Sequence, residues 1–279
     1  MRWQGRRESD NVDDRRGIGG GGIIAGGGIG AVIIGILYLL LGGNPSDLPT
    51  QTLQPQQQVS APRSPEEERL ASFSKVVLAD TEDVWEQVFK ENGGHYSQPT
   101  MVLFTQQTQS GCGFSSAATG PFYCPSDERI YLDLSFFDEL SRRFKAPGEF
   151  AMAYVIAHEV GHHIQKLMGT YDELEQQRSA LSEKEYNKLS VKAELQADFY
   201  AGVWANRAQK MKQLLESGDI ESALTAANAI GDDRLQMQSQ GYVVPDAFTH
   251  GTSQQRMYWF KKGFETGDVK QGNTFVSER

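Results

Sequence analysis

Cysteine is nearly absent from this 279-residue chain, which has only Cys112 and Cys124. Two thiols cannot build a disulfide-dense mini-domain or a four-cysteine zinc site. Basic charge is also in deficit: 27 Lys and Arg stand against 36 Asp and Glu, a net charge of −9. General nucleic-acid binders carry a basic face that neutralises phosphates, so no nucleic-acid partner is expected. No internal repeat is visible. Histidine is scarce, with five in the chain, so each one bears on any metal site. Hydrophobic residues make up 39%, enough apolar material for a core and too much for wholesale disorder.

Charge is missing altogether from Gly17 to Ser46, and 12 of the 29 glycines lie between Gly17 and Gly43. The second half of this stretch, Ile29 to Leu41, is almost wholly aliphatic. A membrane span needs about 20 mainly apolar residues, so residues 17–43 are expected to form one N-terminal transmembrane helix. No small-residue cleavage site follows the apolar run, which reads Leu41-Gly42-Gly43-Asn44-Pro45, and no lipoprotein cysteine is present. A retained single-pass anchor is therefore expected rather than a cleaved signal peptide. Residues 1–16 hold five arginines (Arg2, Arg6, Arg7, Arg15, Arg16), which the positive-inside rule places in the cytoplasm. The rest of the chain would then lie outside the cell membrane, in the periplasm if the cell is Gram-negative.

Residues 44–65 hold five prolines and five glutamines and read as a semi-extended linker. A single domain is expected over residues 66–279. Glu67 to Lys90 places apolar residues at helical spacing, at Leu70, Phe73, Val77, Val84, Trp85 and Val88. Two short β-like runs, Thr100–Phe104 and Arg129–Leu134, flank a Gly/Ser/Pro-rich stretch with both cysteines. From Gly148 onward the pattern is helical. The fold class expected is α+β, mostly helical around a small β-sheet.

The chemistry concentrates at His158-Glu159-Val160-Gly161-His162-His163. A four-residue step turns a helix by about 40°, so His158 and His162 share one side and suit one metal ion. Glu159 lies within the same turn, where a base for water activation belongs. His163 is rotated about 140° from His158 and reads as a packed or hydrogen-bonded histidine. The third ligand expected is Glu194, on an apolar helical stretch where an unpartnered carboxylate is costly. Asp198, one turn later, is placed to orient a ligating histidine through its other ring nitrogen.

His158-Glu159-Val160-Gly161-His162-His163 combined with Glu194-Leu195-Gln196-Ala197-Asp198 resembles the bacterial neutral zinc metallopeptidase family, a membrane-anchored group. It is similar, more distantly, to gluzincins, whose motif is H-E-x-x-H followed by E-x-x-x-D. Gly120–Pro125, Tyr131–Phe137 and Val244–Gly251 strengthen the resemblance, which covers most of residues 66–279. It implies a zincin-like domain with Zn2+ on His158, His162 and Glu194, and catalytic Glu159.

His250, just before a helix capped by Thr252 or Ser253, is a candidate to steady an oxyanion opposite the metal. A capping-region histidine is an equal reading, and Arg256 is a weaker candidate for the same task. In an extracytoplasmic domain Cys112 and Cys124 are expected to form a disulfide. The Ile130–Leu134 run is expected to be the edge strand that pairs with a substrate backbone, with the disulfide loop as a wall of the cleft. The expected function is a membrane-anchored zinc-dependent endopeptidase acting on proteins or peptides. The alternative is a non-catalytic, zinc-stabilised binding or scaffold module of the envelope. Nothing in the sequence fixes the oligomeric state.

Overall fold

The computed structural model describes residues 1–17 and 63–276. Apart from Gly17 and Arg63–Pro65, the expected anchor (17–43) and linker (44–65) lie outside the described residues. Among the described residues, no helix is long and apolar enough to cross a membrane.

The described chain is α+β and mostly helical. Its first long helix, α1 (Pro65–Glu91), starts where the sequence supplies a start: the Ser64 side chain accepts from the Glu67 N–H, Pro65 opens the helix, and three glutamates fill the first turn. Each of these satisfies free N–H groups or opposes the positive end of the helix dipole.

A four-stranded sheet lies beside it, with strand order β1 (Val12–Asp14), β2 (Thr100–Phe104), β6 (Arg129–Asp133), β5 (Phe122–Cys124). Strands β1, β2 and β6 run parallel, and β5 is antiparallel to β6. A separate hairpin of β3 (Gln107–Ser110) and β4 (Gly113–Ser116) carries Cys112 at its tip. The Cys112–Cys124 disulfide is formed and ties that tip to the end of β5. The Ile130–Leu134 run is not an edge strand. It falls mostly within β6, which has β2 on one side and β5 on the other, so its backbone groups are already paired. The edge is β5.

Eight α-helices are described: α1, α2 (Ser135–Arg142), α3 (Glu149–Leu167), α4 (Thr170–Arg178), α5 (Glu183–Lys212), α6 (Asp219–Ala229), α7 (Asp232–Gln240) and α8 (Ser253–Thr266). The core lies where α3, α5, α6 and α8 meet, around buried Phe150, Tyr154, Trp204 and Phe260. Phe150 stacks on Trp204, and Tyr154 meets Phe260 edge to face. Gly202 on α5 and Gly263 on α8 let these helices cross in backbone contact, since a β-carbon on either would collide with the other's main chain.

Residues 1–16, expected as a separate cytoplasmic segment, are instead part of this folded unit. Strand β1 hydrogen-bonds in register with β2, Val12 opposite Met101 and Asp14 opposite Leu103. Met1 and Trp3 are buried, and Trp3 meets Phe73 of α1 edge to face. The physical reason is charge as much as apolar area. Arg6 and Arg7 of the segment face the carboxylates Asp80, Glu82 and Asp83 of α1.

Candidate metal centre

His158, Glu159 and His162 all lie on α3, which is buried from Ala153 to Gln165. Glu194 and Asp198 lie on α5, which packs across it. Gly161 sets the distance between the two helices. A β-carbon there would stand 2.8 Å from the Ala197 carbonyl oxygen.

This crossing gathers one ligand atom each from His158, His162 and Glu194 within 4.8 Å of one another. The Glu194 carboxylate lies 3.1 Å from His158 Nε2 and 3.4 Å from His162 Nε2. Bonds of about 2.0–2.1 Å in a tetrahedral zinc site put neighbouring ligand atoms about 3.3 Å apart, so the two carboxylate–imidazole distances fit that ion. The donor set, two imidazoles and a carboxylate, fits as well.

The outer nitrogens of both rings are occupied. His158 Nδ1 lies 2.9 Å from Asp198 Oδ1, and His162 Nδ1 lies 2.9 Å from Gln165 Oε1. With Nδ1–H donating outward, each Nε2 lone pair is turned to the centre. Gln165 is held in turn, because its amide donates to the Ala193 carbonyl and to Gln196.

Asp198 has a second role that links three helices. Its Oδ2 accepts from Arg256 Nε at 2.8 Å, and its Oδ1 accepts from Tyr154 Oη at 2.5 Å. Burial works to raise Asp198, but the charges of Arg256 and His158 hold it at about 2. Burial also opposes a charged His158, yet the Asp198 charge and hydrogen bonds to Asp198 and Glu194 push that ring up to about 10. Glu194 would be raised by burial, and the two histidines hold it well below the usual carboxylate range. The cluster thus attracts positive charge, which a divalent cation satisfies.

The centre opens onto a cleft of about 830 Å3. One wall is Ala117 to Tyr123, within the loop that the disulfide closes, and the other comes from α7 through Leu235, Gln236 and Ser239. Glu159, His250 and Tyr171 also face it. The loop is therefore a wall of the cleft, as expected, although the strand beside it is β5.

His250 reaches the cleft from the loop before α8, whose N-cap is Thr252 with a capping box to Gln255. Asp232, at the start of α7, fixes that loop. Its Oδ2 accepts from the backbone N–H of Thr249, His250 and Gly251, and its Oδ1 lies 3.1 Å from His250 Nδ1. The hydrogen bond to Asp232 raises His250 despite its partial burial, and the residue lines the cleft.

Two expectations meet different outcomes. His163 is fully buried and points away, with Tyr123 Oη on Nδ1 at 3.0 Å and Ser97 O on Nε2 at 2.6 Å. This is the packed, hydrogen-bonded histidine expected. Arg256, the weaker candidate to meet an oxyanion, lines the cleft, and its guanidinium is held by Asp198, Tyr154 and the Ile230 carbonyl. Gln165, Tyr154, Asp232 and Tyr171 were not anticipated as site residues. Tyr154, four residues before His158, and Gln165, three after His162, are the ones whose spacing carried a signal.

Residues 1–275 match the family described as "Putative neutral zinc metallopeptidase". The chain is 52% identical to the uncharacterized protein YpfJ of Escherichia coli (strain K12), over 99% of each chain. It is 43% identical to the uncharacterized protein Rv2575 of Mycobacterium tuberculosis (strain ATCC 25618 / H37Rv), over 64% of this chain and 63% of that protein. No solved structure matches it.

Proposed function

Since the chain belongs to the family of neutral zinc metallopeptidases, we propose that it is a zinc-dependent endopeptidase acting on proteins or peptides, with Glu159 as its general base. One observation carries this reading. A three-residue ligand group, His158, His162 and Glu194, lies at the base of an open cleft with Glu159 facing the same space.

His158, His162 and Glu194 would hold a zinc ion, which would polarise a carbonyl and bring the pKa of water to about 7. Glu159 takes the proton of the attacking water and delivers it to the leaving amine. His250, held by Asp232 through Nδ1, donates from Nε2 to the developing oxyanion. Asp198 and Gln165 keep the two ligating rings in register, and the β5 edge offers backbone groups to an extended substrate. The zincin-like arrangement of helix and antiparallel edge strand is part of this proposal. So is attachment to a membrane through the uncharged stretch 17–43. The disulfide suits the expected extracytoplasmic site, because such bonds persist in oxidising compartments.

The test is zinc content and cleavage of casein or a peptide library by the purified chain. Glu159→Gln should keep zinc and lose about 10²–10⁴-fold in turnover. Undiminished turnover in that variant overturns the mechanism. The competing reading, a zinc-stabilised scaffold, calls for a closed four-ligand site. The three-residue group found among the described residues, open to a cleft, weighs against it. Metal removal that unfolds a domain with no turnover would favour it.

A further inference from the structure

The five N-terminal arginines, which in the sequence read as a signal for the cytoplasmic side, have carboxylate partners within the folded unit. Arg6 pairs with Asp80 at 2.7 Å, and Arg7 with Glu82 at 3.0 Å and Asp83 at 2.7 Å. Arg15 pairs with Asp13, and buried Arg16 with Asp14, Glu67 and Glu68. Arg2 lies 3.8 Å from Glu216. The positive-inside rule concerns cations that stay at the membrane flank. Here the same residues meet carboxylates of α1, of β1 and of Glu216.

The backbone gives the same result independently. Met101 N donates to Asn11 O at 2.9 Å, and Arg15 N donates to Leu103 O at 2.8 Å, so β1 is stitched in at both ends. Residues 16 and 63, on either side of the uncharged stretch, also meet. Arg63 Nη2 donates to the Arg16 carbonyl at 2.8 Å, and its Nη1 lies 3.0 Å from Asp14. A single crossing between them would separate these atoms by about 30 Å of hydrocarbon. Two crossings would take about 40 apolar residues, more than the uncharged run from Gly17 to Ser46 contains.

We infer that residues 1–17 and 63–276 occupy the same side of any bilayer the chain meets. That replaces the single-pass orientation with a cytoplasmic N-terminus expected from the sequence. This does not depend on the peptidase reading.

The experiment uses the full chain in its native membrane. Its own cysteines are paired, so introduced thiols report alone. Gln4→Cys and Lys261→Cys, made singly, place a thiol at exposed positions in the N-terminal segment and on α8. Asp10→Cys and Glu265→Cys form an independent exposed pair. Each is treated with a membrane-impermeant maleimide before and after lysis. The expected result is that both members of a pair react before lysis, or both only after it. Labelling of one member in intact cells while the other waits for lysis overturns the inference.

Discussion

Gly161 rests on the backbone of Ala197, so close that a β-carbon at 161 would stand 2.8 Å from the Ala197 carbonyl oxygen and 3.0 Å from its Cα. That contact fixes how far α5 stands from α3, and with it the reach from Glu194 to the two histidines. Gly161→Ala should gain about 1 kcal/mol of helix propensity. Overpacking costs about 1–3 kcal/mol, and no rotamer change relieves a clash with backbone, so overpacking wins. The variant should melt lower and bind zinc more weakly. Unchanged melting and zinc affinity would show that the helix spacing is not set here.

Arg256→Met should destabilise the domain far more than an ordinary surface change. Arg256 and Asp198 are both buried, and removing one partner strands the other's charge, at a cost of about 3–5 kcal/mol. Asp198 would also lose the group that holds it against His158, so zinc affinity should fall about 10–100-fold. Pairing Arg256→Met with Asp198→Leu should restore part of the stability but not the zinc affinity. Denaturant melts and zinc titration with a competing chelator separate the two effects.

Much of the metal centre was legible in the sequence because it obeys helix geometry. His158 and His162 stand one turn apart, and Glu194 was conspicuous as a carboxylate among apolar residues. Of the support around them, Asp198 was legible, one turn after Glu194 and found on His158 Nδ1, and the rest was not. Arg256 and Asp232 come to the site only through the crossings of α3, α5, α7 and α8, which no local pattern encodes; Tyr154, one turn before His158 on α3, shares its helix face but has no role until Asp198 and Arg256 meet it. Strand β1 was hidden for a different reason. Val12-Asp13-Asp14 has no apolar alternation, and the arginines around it imitate a membrane-flanking cluster until their carboxylate partners on α1 are seen. The paired strands on both sides of β6 likewise required the sheet order.

Gln165→Leu keeps the size of the side chain and removes the acceptor for His162 Nδ1–H. The ring then loses the hydrogen bond that turns Nε2 toward the centre, and zinc affinity should fall about 10–100-fold. Gln165→Glu, which restores an acceptor, should recover more zinc affinity than Gln165→Leu. Equal affinity in all three chains would remove Gln165 from the site.

His250 gives the pH dependence a definite sign. Its hydrogen bond to Asp232 raises its pKa in the folded chain above the ordinary imidazole value of about 6.5. The stabilisation it contributes is therefore complete below about 6.5 and is lost as pH rises through the raised value. If the protonated ring faces the oxyanion, kcat/KM should fall through the same alkaline range. Asp232→Asn should move that limb to lower pH, whereas His250→Gln should abolish it. An alkaline limb that neither variant moves would belong to another group.

The disulfide links stability to the shape of the cleft. It closes a twelve-residue separation between Cys112 and Cys124, and its loop supplies the cleft wall from Ala117 to Tyr123. In the chain-entropy account a loop of that length is worth about 3 kcal/mol. Cys112→Ser with Cys124→Ala, chosen because Cys112 is exposed and Cys124 buried, should lower stability by about that amount. Zinc affinity should hold, since the ligands sit on α3 and α5, away from the loop. KM for a peptide substrate should rise more than kcat falls, because the wall positions substrate while Glu159 and the ligands stay in place. Equal losses in kcat and kcat/KM would mean that the loop acts on the reacting groups themselves.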